Sequence, residues 1–454
     1  MEQNERSKML GTMKMSRLIP KISVPIMVSL LVQALYNIVD SIFVAKYSAD
    51  ALTAVSLAYP VQMLIIAVSV GLGTGINSLV SRKLGENNSK YARRAGGNGI
   101  FLEIVGCIIF MVFGLFFAEK TFAMLTSDAA LRSLGASYLK IVCTFSFGVF
   151  MSIVFERLLQ STGNSTLSMV AQLTGAIINI ILDPIMIFGL LGCPEMGIEG
   201  AATATVIGQW CSMTVAFLLN QTKNKELRVN FKHIIPNIRI IKNILAVGFP
   251  SVIMQSIASV MNISFNAILI AYGNAAVSVL GIYFKLQSFV FMPVFGLGNG
   301  LVPIVGYNYG AALKKRIYSA IKTALCWSCT IMSIGMVIFL AVPEILLSLF
   351  ESGEAGEITA IGVPALRIIC THFIFAAIGI TLSTVYQAIG KGMYSLIMSL
   401  CRQLFVLIPS AWLLSKIGGL GAVWWSFLIA ELVSLAICLF MYRNVNNNIF
   451  KKMN

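Results

Sequence analysis

Two carboxylates stand inside long apolar runs of this chain. Asp183 lies in GAIINIILDPIMIFGL, directly before Pro184, and Asp40 ends the run YNIVD. A carboxylate in membrane hydrocarbon is costly, so such residues are rare, face protein or water, and usually mark a pathway for ions or substrate. We therefore interpret Asp40 and Asp183 as candidate functional residues.

Each aspartate has a polar neighbour on its own helix face. Tyr36 and Asn37 stand four and three residues before Asp40, and Asn179 stands four residues before Asp183. Burial and a nearby second acid both disfavour the charged carboxylate, so protonation near neutral pH is expected. The same oxygens could instead hold sodium, and the sequence leaves this choice open.

Two prolines predict bends beside these acids. Pro184 has no N–H to donate to the carbonyl of Ile180, and Pro25 has the same effect lower in the first helix. We expect both helices to be kinked or hydrated at these points, with a backbone oxygen exposed.

The elements that carry these residues are predicted to be transmembrane helices. The chain has 454 residues, of which 57% are hydrophobic and only 11% charged. Since lipid offers no partner for backbone groups, runs of about 20 apolar residues must be helices. The fold class is an all-α polytopic membrane protein of twelve spans, near 22–45, 53–80, 96–118, 133–157, 167–191, 197–219, 246–271, 277–306, 319–342, 360–386, 393–415 and 420–441.

Charge predicts the orientation. The net charge of +15 comes from Lys and Arg in the N-terminal tail, in SRKLGENNSKYARR and in the central connection, which is the positive-inside pattern and not a nucleic-acid surface. Both termini are predicted to be cytoplasmic, and the first span acts as the insertion signal. The alternate connections, predicted to be external, carry Asp50, Asp128, Glu195, Glu344, Glu351, Glu354 and Glu357.

The chain repeats itself. Pro25–Gly85 lies over Pro250–Gly310 at an offset of 225, with VGLGTG over FGLGNG, and LKIVCT lies over LRIICT at an offset of 227. An even number of spans separates the copies, so they are parallel repeats. We predict a six-helix lobe at 1–220, a cytoplasmic linker at 221–244 and a second six-helix lobe at 245–454.

The two halves differ in their acids. The repeat places Phe265 opposite Asp40 and Ser410 opposite Asp183, so the acids are not needed merely to build a six-helix bundle. The other deep charges have simpler interpretations: Glu103, Glu156 and Glu431 as residues snorkelling near span ends, and Lys140 with Arg367 as equivalent structural residues. A further set of polar and cationic residues is predicted to line a substrate cavity between the halves: Asn37, Gln62, Gln287, Lys285 and Arg402.

Several other activities are disfavoured. No GxxxxGK[ST] motif occurs, and the glycine-rich stretches lie inside apolar spans without a preceding strand, so no nucleotide site is expected. The nine cysteines lack framework spacing and are interpreted as packing residues. We expect no metal site, no cofactor and no enzymatic activity, with H⁺ or Na⁺ as the coupling ion.

Taken together, these segments resemble the multidrug and toxic compound extrusion (MATE) family, in its DinF-like or MepA-like bacterial branch. The matching stretches are VPIMVSLLVQALYNIVDSIFVAKY, GTGINSLVSRKLGENN, LQSTGNS, NIILDPIMIFG, MGIEGAATATVIGQW, YQAIGKG, RQLF and GGLGAVWW. The resemblance implies a V-shaped pair of lobes in a bacterial cell membrane that exports amphipathic cations against proton or sodium entry, and we expect a lipid-embedded monomer.

The resemblance also implies roles for single residues. In DinF-like members, acids on helices 1 and 5 match Asp40 and Asp183, and their hydrogen-bonding neighbours match Tyr36, Asn179 and Thr205. Bending of helix 1 at a proline matching Pro25 has been proposed to accompany protonation. Other branches place coupling acids in the second half, where this chain has only Glu431 near a helix end.

Two rival interpretations remain. A flippase of lipid-linked oligosaccharides has a similar composition, but it would need cations facing a phosphate, whereas the deep charges of the first half are mostly acidic. An intramembrane aspartyl protease using Asp40 and Asp183 would be expected to carry GxGD, and Asp183 lies in ILDP.

Overall fold

The computed structural model describes residues 5–350 and 355–453. Within these ranges the chain is helical, and eleven helices, or twelve when one bent pair counts as a single span, are long and apolar enough to cross a membrane. The predicted twelve-helix fold class is therefore confirmed. Of the predicted external acids, Glu351 and Glu354 lie outside the described residues.

We number the spans α1 to α12. In the first half they are α1 Met15–Tyr47, α2 Ala49–Gly85, α3 Ser89–Leu125, α4 Ala129–Thr144 with Phe147–Ser161, α5 Ser165–Phe188 and α6 Gly197–Lys223. In the second half they are α7 Ile238–Leu269, α8 Asn274–Gly310, α9 Lys314–Ala341, α10 Ala355–Ile369 with Phe373–Ala388, α11 Gly392–Leu400 continuing through Cys401–Leu407 to Ile408–Ile417, and α12 Gly419–Val423 with Ser426–Asn448. Short helices Glu5–Thr12 and Pro343–Ser348 precede α1 and follow α9.

The fourth span of the first half is broken. The two segments of α4 meet at an angle of 42°. The carbonyl of Phe145 at this break accepts a hydrogen bond from the Trp210 indole at 3.2 Å, which satisfies a backbone group that lipid could not. At the equivalent position α10 has the single 3₁₀ turn Cys370–His372, and the span continues through it from Ile358 to Ala388.

Glycines let the two halves approach backbone to backbone. A Cβ on Gly75 of α2 would lie 2.3 Å from the carbonyl oxygen of Ile244 on α7, and a Cβ on Gly300 of α8 would lie 2.3 Å from the Ser23 hydroxyl on α1. Small residues serve this purpose in membrane helices, where close packing replaces the hydrophobic effect. The glycine-rich stretches are thus interhelical contacts.

Two further pairs of glycine contacts obey the sequence repeat. Gly71 meets Val252 and Gly296 meets Met27, while Gly85 meets Tyr307 and Gly310 meets Arg82. In each pair of contacts both partners shift by the same 225 residues, as 296 − 71 and 252 − 27 show. The halves are therefore joined by a pseudo-two-fold interface.

This interface lies at one end of the bundle. Its residues belong to the ends of α1, α2, α7 and α8 that adjoin the Lys- and Arg-rich connections, which we call the basic end. Beyond it, the equivalent residues Leu35 and Val260 are each 51% exposed, and Ile38 and Ile263 are also uncovered. The halves are thus held together at the basic end, while α1 and α7 are uncovered towards the opposite end.

The helix Glu5–Thr12 closes the basic end. Its Ser7 hydroxyl donates to Glu226 in the connection between the halves at 3.0 Å, and Leu10 is fully buried. The Arg316 guanidinium on α9 donates to the carbonyls of Leu10 at 3.1 Å and Met13 at 2.7 Å. One short helix therefore contacts both the central connection and the second half.

Candidate functional site

The two predicted aspartates come together inside the first half. Asp40 on α1 and Asp183 on α5 bring their carboxyl groups within hydrogen-bonding reach of each other. The Asn179 amide, one turn before Asp183, donates to Asp183 Oδ1 at 3.1 Å and to Thr205 Oγ1 on α6 at 3.4 Å. Three helices therefore converge on one polar group.

This group has more acceptors than donors. Asp40 Oδ1, Asp183 Oδ2 and Asn179 Oδ1 are all buried without a hydrogen-bond partner. Two ionised carboxylates cannot share a hydrogen bond and repel each other at this separation, whereas a single proton between them provides the missing donor. The arrangement can therefore bind a proton, and its oxygens are also of the type that small hard cations prefer.

Close packing of α5 on α6 positions Asn179. A Cβ on Gly175 would lie 2.7 Å from the carbonyl oxygen of Gly208, and a Cβ on Gly208 would lie 2.8 Å from that of Gly175. This mutual approach brings Asn179 to Thr205 across the two helices. Beyond Pro184 the helix continues for only one turn to Phe188.

Two tyrosines flank the acids. Tyr36 interacts electrostatically with both Asp40 and Asp183, as its place one turn before Asp40 predicts. Tyr138 on α4 also faces both acids, and its hydroxyl accepts a hydrogen bond from Gln62 at 2.7 Å. Our sequence interpretation missed Tyr138. The asymmetry of the repeat contains the signal, because the offset of 227 places an alanine, Ala365, at the equivalent position.

The remaining predicted cavity residues are dispersed. Asn37 is exposed on α1, Gln287 is half-buried on α8, and Lys285 lies 5.6 Å from the ring of Phe350. Arg402 forms an ion pair with Glu431 at 3.6 Å within the second half. Their part in binding substrate stays a prediction.

The interpretation of Glu103, Glu156 and Glu431 as snorkelling residues is wrong. Their exposed fractions are 0%, 9% and 3%. Glu103 accepts a hydrogen bond from Ser69 at 3.0 Å, and Glu156 lies 3.5 Å from the Ser212 hydroxyl. The physical reason is that the helices extend beyond the apolar runs: α3 begins at Ser89, so Glu103 lies almost four turns inside it.

Lys140 and Arg367 have a different environment. Both are exposed, and Arg367 pairs with Glu344 at 3.3 Å.

Over residues 5–350 and 355–453, no group of three or more His, Cys, Asp or Glu side chains is placed to hold a metal ion.

Comparison with known proteins agrees with the fold and the repeat. The MatE family model matches residues 25–185 and 250–413, two segments that begin at the first residues of the internal repeat. The multidrug export proteins MepA of Staphylococcus haemolyticus and Staphylococcus aureus (strain MRSA252) are each 28% identical, over 94% and 92% of this chain and 93% and 92% of their own lengths.

Solved structures give the same result. A MOP superfamily transporter from Pyrococcus furiosus, described with a reversed polarity of its binding pocket, superposes with a TM-score of 0.91 at 25% identity over 99% of both chains. An outward-facing multidrug resistance MATE transporter superposes with a TM-score of 0.92 at 24% identity, again over 99% of both chains. The chain belongs to the MATE family, and it is a multi-pass membrane transporter and not an enzyme.

Proposed function

We propose that this protein is a secondary active multidrug exporter that exchanges amphipathic cations for protons. The observation that carries the proposal is the contact of Asp40 with Asp183, in which buried carboxyl oxygens lack a donor. A proton supplies that donor and cancels the charge that attracts a cationic substrate. Proton and drug therefore compete for the same acids, which is the requirement for exchange.

The charge around the acids supports a cationic substrate. Among residues 5–350 and 355–453, the ion pairs are Lys83–Glu86, Arg367–Glu344 and Arg402–Glu431, and none includes Asp40 or Asp183. Without a protein cation beside them, the acids remain available to a cation from solution. The same feature opposes the flippase alternative, which needs a cation facing phosphate.

The class of substrate follows from the relatives and the composition. The staphylococcal relatives are named multidrug export proteins. This chain has 22 Met and 28 Phe, whose flexible thioethers and aromatic faces adapt to varied shapes and attract positive charge. We infer that bulky amphipathic cations such as ethidium and quaternary ammonium biocides are substrates.

The arrangement of the halves supports the direction of transport. They are joined at the basic end, which the positive-inside rule assigns to the cytoplasm, and α1 and α7 are uncovered towards the other end. This arrangement fits a state from which drug leaves to the outside and into which protons enter. The membrane is then the bacterial cytoplasmic membrane, with both termini inside.

Transport in liposomes tests the coupling. Purified protein is reconstituted, a proton or a sodium gradient is imposed, and ethidium movement is followed for the parent, Asp40→Asn and Asp183→Asn. Asn keeps the size and hydrogen bonding but cannot titrate. We expect proton-driven transport in the parent and a fall to the level of empty liposomes in both variants.

The matched control is Asp50→Asn, an exposed acid at the start of α2, which should transport like the parent. Transport driven by a sodium gradient but not by a proton gradient would show that sodium, and not the proton, is the coupling ion. Unchanged proton-driven transport in Asp183→Asn would show that this aspartate has a structural role only. Equal transport of an anionic dye would contradict the cationic substrate class.

A further inference from the structure

The second half contains a buried ion pair. Glu431 on α12 is 3% exposed, and its Oε2 lies 3.6 Å from Nη1 of Arg402. Arg402 belongs to Cys401–Leu407, a π-helical stretch inside α11, and such insertions are frequent at functional sites. A Cβ on Gly379 of α10 would come 3.2 Å from Glu431 Oε1, so this glycine leaves room for the carboxylate.

Arg402 is the only fixed cation near Glu431 among the described residues. The ionisable groups that face the pair are Tyr283 from α8, His372 from α10 and Cys438 on α12 itself, and Cys370 faces Tyr283. His372 contacts the carbonyl of Ile369 through Nδ1 and stacks on Phe427. Lys285, the other deep cation of the second half, lies against Phe350.

The surroundings differ from those of the acids in the first half. Phe265, which occupies the repeat position of Asp40, is fully buried and packs on Phe427 with ring centroids 5.1 Å apart. Tyr283 also packs on Phe427, with ring centroids 5.6 Å apart. The second half thus has an aromatic core where the first half has a polar site.

The two halves therefore handle buried negative charge in different ways. The first half leaves two acids without a protein cation, and these must take an ion from solution. The second half supplies a guanidinium, which does not lose its proton in proteins, so Glu431 needs no ion from outside. Burying the carboxylate alone would be far more costly than burying the pair.

We propose that Arg402 is a built-in counter-cation that excludes small cations from Glu431 and so confines ion binding to the first half. Its removal converts the second half into a cation site. The nearest oxygens are the two of Glu431, of which Oε1 already lacks a partner, and the unpartnered hydroxyl of Tyr283; Ser434, one turn after Glu431 on α12, has a further unpartnered hydroxyl. Oxygen donors of this kind suit sodium or a proton. That the first half is the ion-coupled one rests on the proposed function.

Thermal unfolding of purified protein tests this without any transport. The background protein carries Asp40→Asn and Asp183→Asn, which removes both proposed ion-binding acids of the first half. Four variants are made in this background: Arg402→Gln, Arg402→Lys, Glu431→Gln and the double change Arg402→Gln/Glu431→Gln. Each protein is unfolded in sodium chloride and in choline chloride at equal ionic strength, at pH 6 and pH 8.

We expect a sodium-specific rise in Tm only in Arg402→Gln, of about 2–4 °C at saturating sodium. In choline chloride the same variant should be less stable at pH 8 than at pH 6, because a lone buried carboxyl group favours the protonated form and loses that proton as the pH rises. Arg402→Lys keeps the cation and should match the background protein. Glu431→Gln and the double variant should show neither effect.

The proposal is wrong if Arg402→Gln responds to sodium and pH no differently from the double variant, or if the background protein already shows a sodium effect that Glu431→Gln removes. If Arg402→Gln cannot be purified but the double variant can, charge compensation is supported. If neither can be purified, Arg402 serves packing alone and the proposal fails. A failure of proton-driven transport in liposomes would overturn the proposed function but would leave these unfolding results intact.

Discussion

The carboxyl oxygens of Asp183 and Asp40 outnumber the hydrogen-bond donors around them. Asn179 provides an amide to one carboxyl oxygen, while the other oxygen and Asp40 Oδ1 are buried without a donor. A buried acceptor without a partner costs about 1–3 kcal/mol. A bound proton or cation removes part of this cost, so the site is more stable when it is occupied than when it is empty.

The Tyr138 hydroxyl should affect this site more than an equivalent hydroxyl elsewhere. Tyr138→Phe removes the acceptor of Gln62, a bond of 2.7 Å, and should cost about 1 kcal/mol of stability while slowing ethidium transport in liposomes. The control is Tyr272→Phe, which loses a 2.7 Å hydrogen bond to the Ser415 carbonyl in the second half. We expect both variants to lose a similar amount of Tm, and only Tyr138→Phe to transport ethidium more slowly. Equal transport rates would contradict a role at the acids.

At the scale of elements, the glycine contacts decide how the halves meet. Gly75 against Ile244 and Gly300 against Ser23 join α2 to α7 and α8 to α1 at the basic end. Opening of this end during transport must separate these helices. Their contact area therefore contributes to the free-energy balance between a closed and an open basic end.

Adding one methyl group at this contact should disturb that balance. Gly75→Ala places a Cβ 2.3 Å from a backbone oxygen that cannot move aside, and overpacking of this kind costs about 1–3 kcal/mol. We expect a lower Tm and a greater distance between spin labels across the basic end. Gly281→Ala on α8 is the control, since nothing lies within 4 Å of a Cβ there. A Tm and a distance like those of the parent in Gly75→Ala would contradict the close contact.

For the whole molecule, the two halves are alike in backbone arrangement but differ in which of them carries buried acids without a protein cation. The two halves are joined at the basic end through equivalent backbone contacts, while the paired acids Asp40 and Asp183 occur in the first half only. An ion that binds one lobe can then shift the equilibrium of a nearly symmetric pair.

The prediction at the scale of the whole molecule concerns its orientation in the membrane. Arg228 in the central connection and Asp128 between α3 and α4 are both exposed, at opposite ends of the bundle. In a background without the nine native cysteines, a cysteine at 128 should react with an impermeant thiol reagent added to intact cells, and a cysteine at 228 should react only after lysis. Labelling of 228 from outside would reverse the topology.

The sequence alone determined the class of protein, the twelve helices, the internal repeat and the two aspartates. These are local or periodic properties: the length of an apolar run fixes a span, and a charge inside it is visible without knowing its neighbours. That Asp40 and Asp183 belong to one site was expected from the resemblance to DinF-like members, whose acids on helices 1 and 5 match them. The predicted lobe limits remain predictions.

Only the tertiary structure decided the depth and partners of the other polar residues. Glu103 and Glu156 proved to be buried because α3 and α4 pack against α2 and α6 at those levels, and Tyr138 faces the acids because of how α4 is rotated. Arg402 on α11 meets Glu431 on α12, 29 residues later in the chain (431 − 402). Helix rotation and depth are set by contacts between distant segments, and apolar runs of near-uniform hydrophobicity carry little local signal of either.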